Sequence, residues 1–75
     1  MKVKDLFYVL HGNNSIQFAT DTCEKLKIED VLYCRQAFFH KFRRSDVWEM
    51  EIGTMHTSIR PLFNTQQTIL TLTLK

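Results

Sequence analysis

Apolar residues recur along this chain with two periods. Near the start, Val3, Leu6, Phe7 and Leu10 fall at i, i+3, i+4 and i+7, the stripe of a short amphipathic helix. His11 lies in its last turn, where a cation suits the helix dipole, and Gly12 stands where a left-handed residue ends a helix. Ser15 to Thr20 then alternates, with Ile16 and Phe18 on one side and Ser15 and Gln17 on the other, which predicts a half-buried strand. Asp21 and Thr22 have turn chemistry. Lys25 to Ile28 alternates again as the second arm of a hairpin, against the competing reading of a helix that starts at Thr22.

A second helix is predicted over Asp30 to Phe42. Glu29 and Asp30 supply acids at its start, and Val31, Cys34, Phe38 and Phe42 form a stripe that Leu32 and Phe39 widen. Arg43 and Arg44 suit its negative pole, and Ser45 and Asp46 begin a turn. Trp48, Met50 and Ile52, alternating with Glu49 and Glu51, read as a third strand. Gly53 marks a bulge, after which Met55, Thr57 and Ile59 carry the alternation on. Arg60 to Gln67 reads as a polar connection anchored by Phe63. Leu70, Leu72 and Leu74, set against Thr71 and Thr73, give the last strand. The expected fold is α+β: two helices packed on one face of a four-stranded antiparallel sheet, in the order α-β-β-α-β-β. The other face then carries Gln17, Lys27, Glu49, Glu51, Thr57, Thr71 and Thr73, with Val47 and Ile69 as apolar exceptions.

With 75 residues, 44% of them hydrophobic, and six Phe, two Tyr and one Trp, the chain has enough apolar surface to escape disorder. It is short enough to be read as a single small domain over residues 1–75, with no room for a catalytic domain beside a binding one. Two cysteines cannot build the multi-bridge framework of small secreted domains, so reduced Cys23 and Cys34 are expected. No stretch of 18 apolar residues and no secretory pattern occurs, which points to a soluble, cytoplasmic protein that does not engage a membrane.

Candidate chemistry is sparse. Cys23, Cys34, His40 and His56 are separated by gaps of 10, 5 and 15 residues, not by the two to four of zinc knuckles, so no metal or other cofactor is expected. Neither a thiol-enzyme signature nor a nucleophile elbow is present, and two glycines make no phosphate-cradling loop. Glu49 and Glu51 share one side of their expected strand, which suits a solvated face better than acid–base catalysis. The chain therefore reads as non-enzymatic.

Charge is segregated, although the net is only +2. Arg35, Lys41, Arg43 and Arg44 lie in an acid-free stretch with Phe38, Phe39 and Phe42 interleaved. Asp46, Glu49 and Glu51 follow in a base-free one. These seven residues form the candidate partner-binding patch. Opposite charges close together favour a protein partner over a polyanion, because the acids repel phosphate. A small nucleic-acid-binding module using the basic end of the second helix is the alternative, and homodimerisation would suit so small a core.

Met1 to Leu10, then Gly12-Asn13 and the Ser-Ile-Gln-Phe strand, resembles small proteins of bacteriophage and prophage genomes. Those open with V-K-D-L-x-x-x-L and often end in a short alternating strand, as Thr-Leu-Thr-Leu does here. The resemblance implies a phage accessory protein without catalytic residues. It implies action by binding and blocking a host protein stoichiometrically, bacterial defence nucleases such as CRISPR effectors among them.

Overall fold

In the computed structural model, which describes residues 1–10 and 13–75, helix α1 (Val3–Phe7) is followed by strand β1 (Asn14–Phe18) and helix α2 (Thr20–Leu26). A two-residue strand β2 (Tyr33–Cys34) leads directly into helix α3 (Arg35–Phe42). A single 3-10 turn (Asp46–Glu49) precedes the long strands β3 (Ile52–Leu62) and β4 (Thr65–Leu74). The roles expected of His11 and Gly12 lie outside the described residues. The fold is α+β, but the sheet is mixed, in the order β2-β1-β4-β3. β1 pairs antiparallel with β2 and parallel with β4, and β3 pairs antiparallel with β4.

The first helix and the last strand follow their sequence pattern. Val3, Leu6, Phe7 and Leu10 are all buried, as are Leu70, Leu72 and Leu74 and the β1 residues Ile16 and Phe18. Phe38 and Phe42 close over them from α3, and Phe42 meets Phe18 edge to face at 5.4 Å. Burying each of these side chains contributes about 1.5–3 kcal/mol. Gly53 sits at the expected bulge, where the β3–β4 register shifts between Ile52 and Thr54. A Cβ there would lie 3.2 Å from the Thr73 carbonyl oxygen, so a side chain would press on the strand beside it.

Four elements differ from expectation, each for a physical reason. Residues 25–28 are not a hairpin arm. The chain turns into α2, nearer the competing reading, with Cys23 buried and Leu26 against the core, and ends at Lys27 in the left-handed region (φ 58°). With no strand there, the antiparallel partner of β1 comes from Tyr33 and Cys34, through Ser15↔Cys34 and Ile16↔Tyr33. The second helix accordingly begins at Arg35, not Asp30. Val31 and Leu32 are exposed, and Tyr33 places its ring 5.3 Å from that of Phe42. Cys34, expected on a buried stripe, is exposed and caps α3 by accepting from Ala37 N.

The strand expected from Trp48 begins only at Ile52, and Trp48 and Glu49 belong instead to the 3-10 turn. Val47 and Trp48 are adjacent and both buried, which a strand with one buried face cannot arrange. Ser45 starts the turn by accepting a hydrogen bond from Val47 N. Finally, residues 60–67 are no loose connection. β3 and β4 run to Leu62 and Thr65 with only Phe63 and Asn64 between them. Phe63 anchors nothing: its side chain is fully exposed at the hairpin tip.

The helices cover one face of the sheet. The opposite face is stitched by Gln17 Nε2 donating to Thr71 Oγ1 (2.9 Å) and by Gln67 Nε2 donating to Ser15 Oγ. Val47, Lys27, Glu49 and Glu51, expected on that face, lie outside the strands. Thr57 pairs with Leu70, which puts it on the helix-covered face instead.

Phe63 adopts φ 54°, a region that crowds a bulky side chain. Replacing it with Gly relieves that crowding at a site where no burial is lost. Phe63→Gly is expected to stabilise the domain by about 0.5–1 kcal/mol in urea unfolding, whereas an unchanged or lower midpoint refutes the strain.

Candidate partner-binding face

One face of α3 repeats every four residues: Arg35, Phe39 and Arg43 stand at i, i+4 and i+8 and so line up along the helix. Phe7 of α1 packs onto this row. The Arg35 guanidinium lies 4.2 Å from the centre of the Phe7 ring, and Phe7 stacks on Phe39 at 4.9 Å with 22° between the ring planes. The Arg43 guanidinium lies 5.5 Å from the centre of Phe39. Trp48 backs both rings, 5.4 Å from Phe7 and 5.8 Å from Phe39. Two cations are thus held against two stacked rings, half-buried Arg35 and exposed Arg43, an attraction of about 0.5–1 kcal/mol or more for each.

Beside this row an open groove of about 490 Å³ is lined by Phe7, Cys34, Arg35, Gln36, Phe39 and His40. Arg35 Nε is buried at its edge and has no hydrogen-bond partner among the described residues. Arg44 and Asp46 are exposed just beyond the end of α3. Lys41 departs from the row. It lines a separate depression of about 390 Å³ with Leu26, Lys27, Ile28, Glu29, Phe42, Ser45 and Val47.

The acids take a different position from the arginines. Glu49 receives Lys4 Nζ at 3.0 Å and Lys2 Nζ at 3.3 Å, and Glu51 pairs with the Met1 ammonium at 3.2 Å. Among the described residues, none of the ion pairs formed includes Arg35, Lys41, Arg43, Arg44 or Asp46. Of the seven candidate residues, the fold therefore brings Arg35 and Arg43 onto one row and turns Glu49 and Glu51 toward the N-terminal segment. Phe7, Lys2 and Lys4 are participants with no local mark in the chain, since their partners lie roughly 30 to 50 residues away.

The remaining candidates are dispersed. Cys23 is buried in α2, its Sγ 3.5 Å from the Phe18 carbonyl oxygen, while Cys34 caps α3. Among the described residues, no three His, Cys, Asp or Glu side chains gather as a metal site. No helix among them is long and apolar enough to cross a membrane.

Hydrogen bonds from Lys4, then from Lys2, hold the Glu49 carboxyl below its ordinary range. A carboxyl depressed in the folded state stabilises the fold above its unfolded-state value, and that contribution fades as pH falls through the folded value. Glu49→Gln is therefore expected to flatten the acid side of a Tm–pH profile, most visibly at low salt. Parallel profiles for the two proteins would show that the ion pairs are thermodynamically silent. The thiols should separate as well. Burial, reinforced by Asp30, Asp21 and Glu24, raises the Cys23 thiol. A thiol reagent at pH 8 is expected to titrate Cys34 quickly and Cys23 only on unfolding, and fast reaction in Cys34→Ser would contradict the burial.

Compared with protein-family models, with curated proteins and with solved structures, the chain matches none of them.

Proposed function

We propose that this chain is a non-enzymatic binding module that engages an acidic protein surface through the row formed by Arg35, Phe7, Phe39 and Arg43, extended by Arg44. The stack itself carries this reading. Guanidinium groups fixed over rings lose little freedom on binding, and they offer planar, paired donors that match a carboxylate. The adjoining apolar groove supplies a pocket of the kind in which interface anchors seat. Glu49 and Glu51 are engaged by Lys2, Lys4 and the Met1 amine, so they oppose an acidic partner less than their place in the sequence suggests. The likeness of residues 1–18 and of Thr71 to Leu74 to phage accessory proteins supports a stoichiometric inhibitor of a host defence protein.

The engagement of those acids also favours a second reading, a small nucleic-acid-binding module on the same arginines, because phosphate would meet less repulsion there. Two measurements separate the readings. Immobilised chain is expected to retain a host protein that Arg43→Glu/Arg44→Glu fails to retain while still folded, its Tm lowered by only the few degrees that losing the Arg43–Phe39 contact costs, and labelled DNA and RNA are expected not to shift even at low salt. Equal retention by the double variant refutes the patch. A nucleic-acid shift that weakens steeply with salt replaces the protein-binding reading with the second.

A further inference from the structure

The two edges of the sheet are unequal. β2 is only two residues long, whereas β3 is an eleven-residue edge strand. Its beginning is already covered: Ile52 N donates to the Met1 carbonyl and Val3 N to the Met50 carbonyl, so the N-terminal segment lies along the edge there. From Thr54 onward no described residue pairs with this edge.

Register shows which groups it offers. Leu62 and Thr65 close the two-residue turn as a hydrogen-bonded pair, so Arg60, Ser58, His56 and Thr54 also bond inward to β4. Met55, Thr57 and Ile59 fall at the alternate positions and turn their N–H and C=O groups to the open side. Pro61 does so too, and its missing N–H therefore costs no bond to β4. The side chains of Met55, Thr57 and Ile59 share the helix-covered face, since they stand opposite Leu72, Leu70 and Thr68. The helices do not reach them: Met55 is 48% exposed and Ile59 65%.

We propose that this edge pairs antiparallel with the same edge of a second copy, about a two-fold axis through Thr57 and perpendicular to the sheet. The free segment is bounded by Pro61 at one end and by the Gly53 bulge and the N-terminal segment at the other, and Thr57 is its midpoint. In this register Thr57 bonds to Thr57 of the second copy, and Met55 bonds to its Ile59 on both sides of the axis. Each exposed apolar side chain meets a different one directly across the strands. Arg60, the sole charge between Thr54 and Leu62, stands opposite Thr54, so like charges do not meet. A shift of the axis to Ile59 would set Thr57 against Pro61 and lose donors. A shift to Met55 would run the second copy into the N-terminal segment. The product is one eight-stranded sheet with both helical layers on the same side. It is independent of the arginine row on α3.

Sedimentation and amide exchange test this on the intact chain. Wild type is expected to pass from monomer to dimer between about 5 and about 500 µM, the range of a small interface. The Met55, Thr57 and Ile59 amides should gain protection in the same range. Thr57→Pro should stay monomeric while the inward amides of Thr54, His56, Ser58 and Arg60 remain protected, which shows an intact hairpin. Met55→Lys with Ile59→Lys should also be monomeric. Met55→Lys with Ile59→Glu should dimerise again, because the register sets each new cation against a new anion. A wild type that stays monomeric at the highest concentration overturns the proposal, as does a dimer that survives Thr57→Pro. Failure of the opposite-charge pair to outperform the like-charge pair overturns this register.

Discussion

The fold depends on β4 lying between β1 and β3. Leu70, Leu72 and Leu74 reach the core only because β4 is flanked on both sides, by β1 in parallel and by β3 in antiparallel pairing. That placement supplies the platform on which Phe18, Tyr33, Phe38 and Phe42 pack ring against ring. It also makes the sheet mixed. β1 has its antiparallel neighbour in the short β2 and gives its other side to a strand made more than fifty residues later. A core of this size has little redundancy, so each of these ring contacts carries a large share of the net stability.

The same packing explains why charge and aromatic character meet on α3. Phe38 and Phe42 turn inward, which commits the helix to a rotation that brings Phe39 to its boundary, and Phe7 arrives there because α1 is buried along Val3, Leu6 and Phe7. The arginines one turn before and one turn after Phe39 then have rings beneath them. Their arrangement follows from core packing and needs no salt bridge to hold it.

Much of this was legible in the chain and some was not, for reasons particular to certain residues. Val3 to Leu10 and Leu70 to Leu74 could be read because one-sided burial imposes a clean period on them. Trp48 to Ile52 misled because Glu49 and Glu51 happen to alternate with apolar residues, while the deciding fact, simultaneous burial of Val47 and Trp48, is tertiary. Val31 and Leu32 counted toward a helical stripe, yet the core takes Tyr33. The basic residues of the candidate site were visible from their clustering. Their sorting was not, since it depends on Phe7, Lys2 and Lys4 at the far end of the sequence. Phe63 was apolar enough to suggest an anchor, but a two-residue turn leaves its first position nothing to pack against.

The central place of β4 has a further consequence for how the protein is made. Asn14 pairs with Thr68 and Phe18 with Leu72, so β1 must wait for a strand synthesised 54 residues later. Until then β1 has no sheet partner on that side, and the β3–β4 hairpin, whose pairing is local, can form as soon as its two strands are made. Completion of the sheet is thus a late docking of hairpin against β1. Until β4 has been made, the nascent chain leaves one side of its apolar first strand exposed.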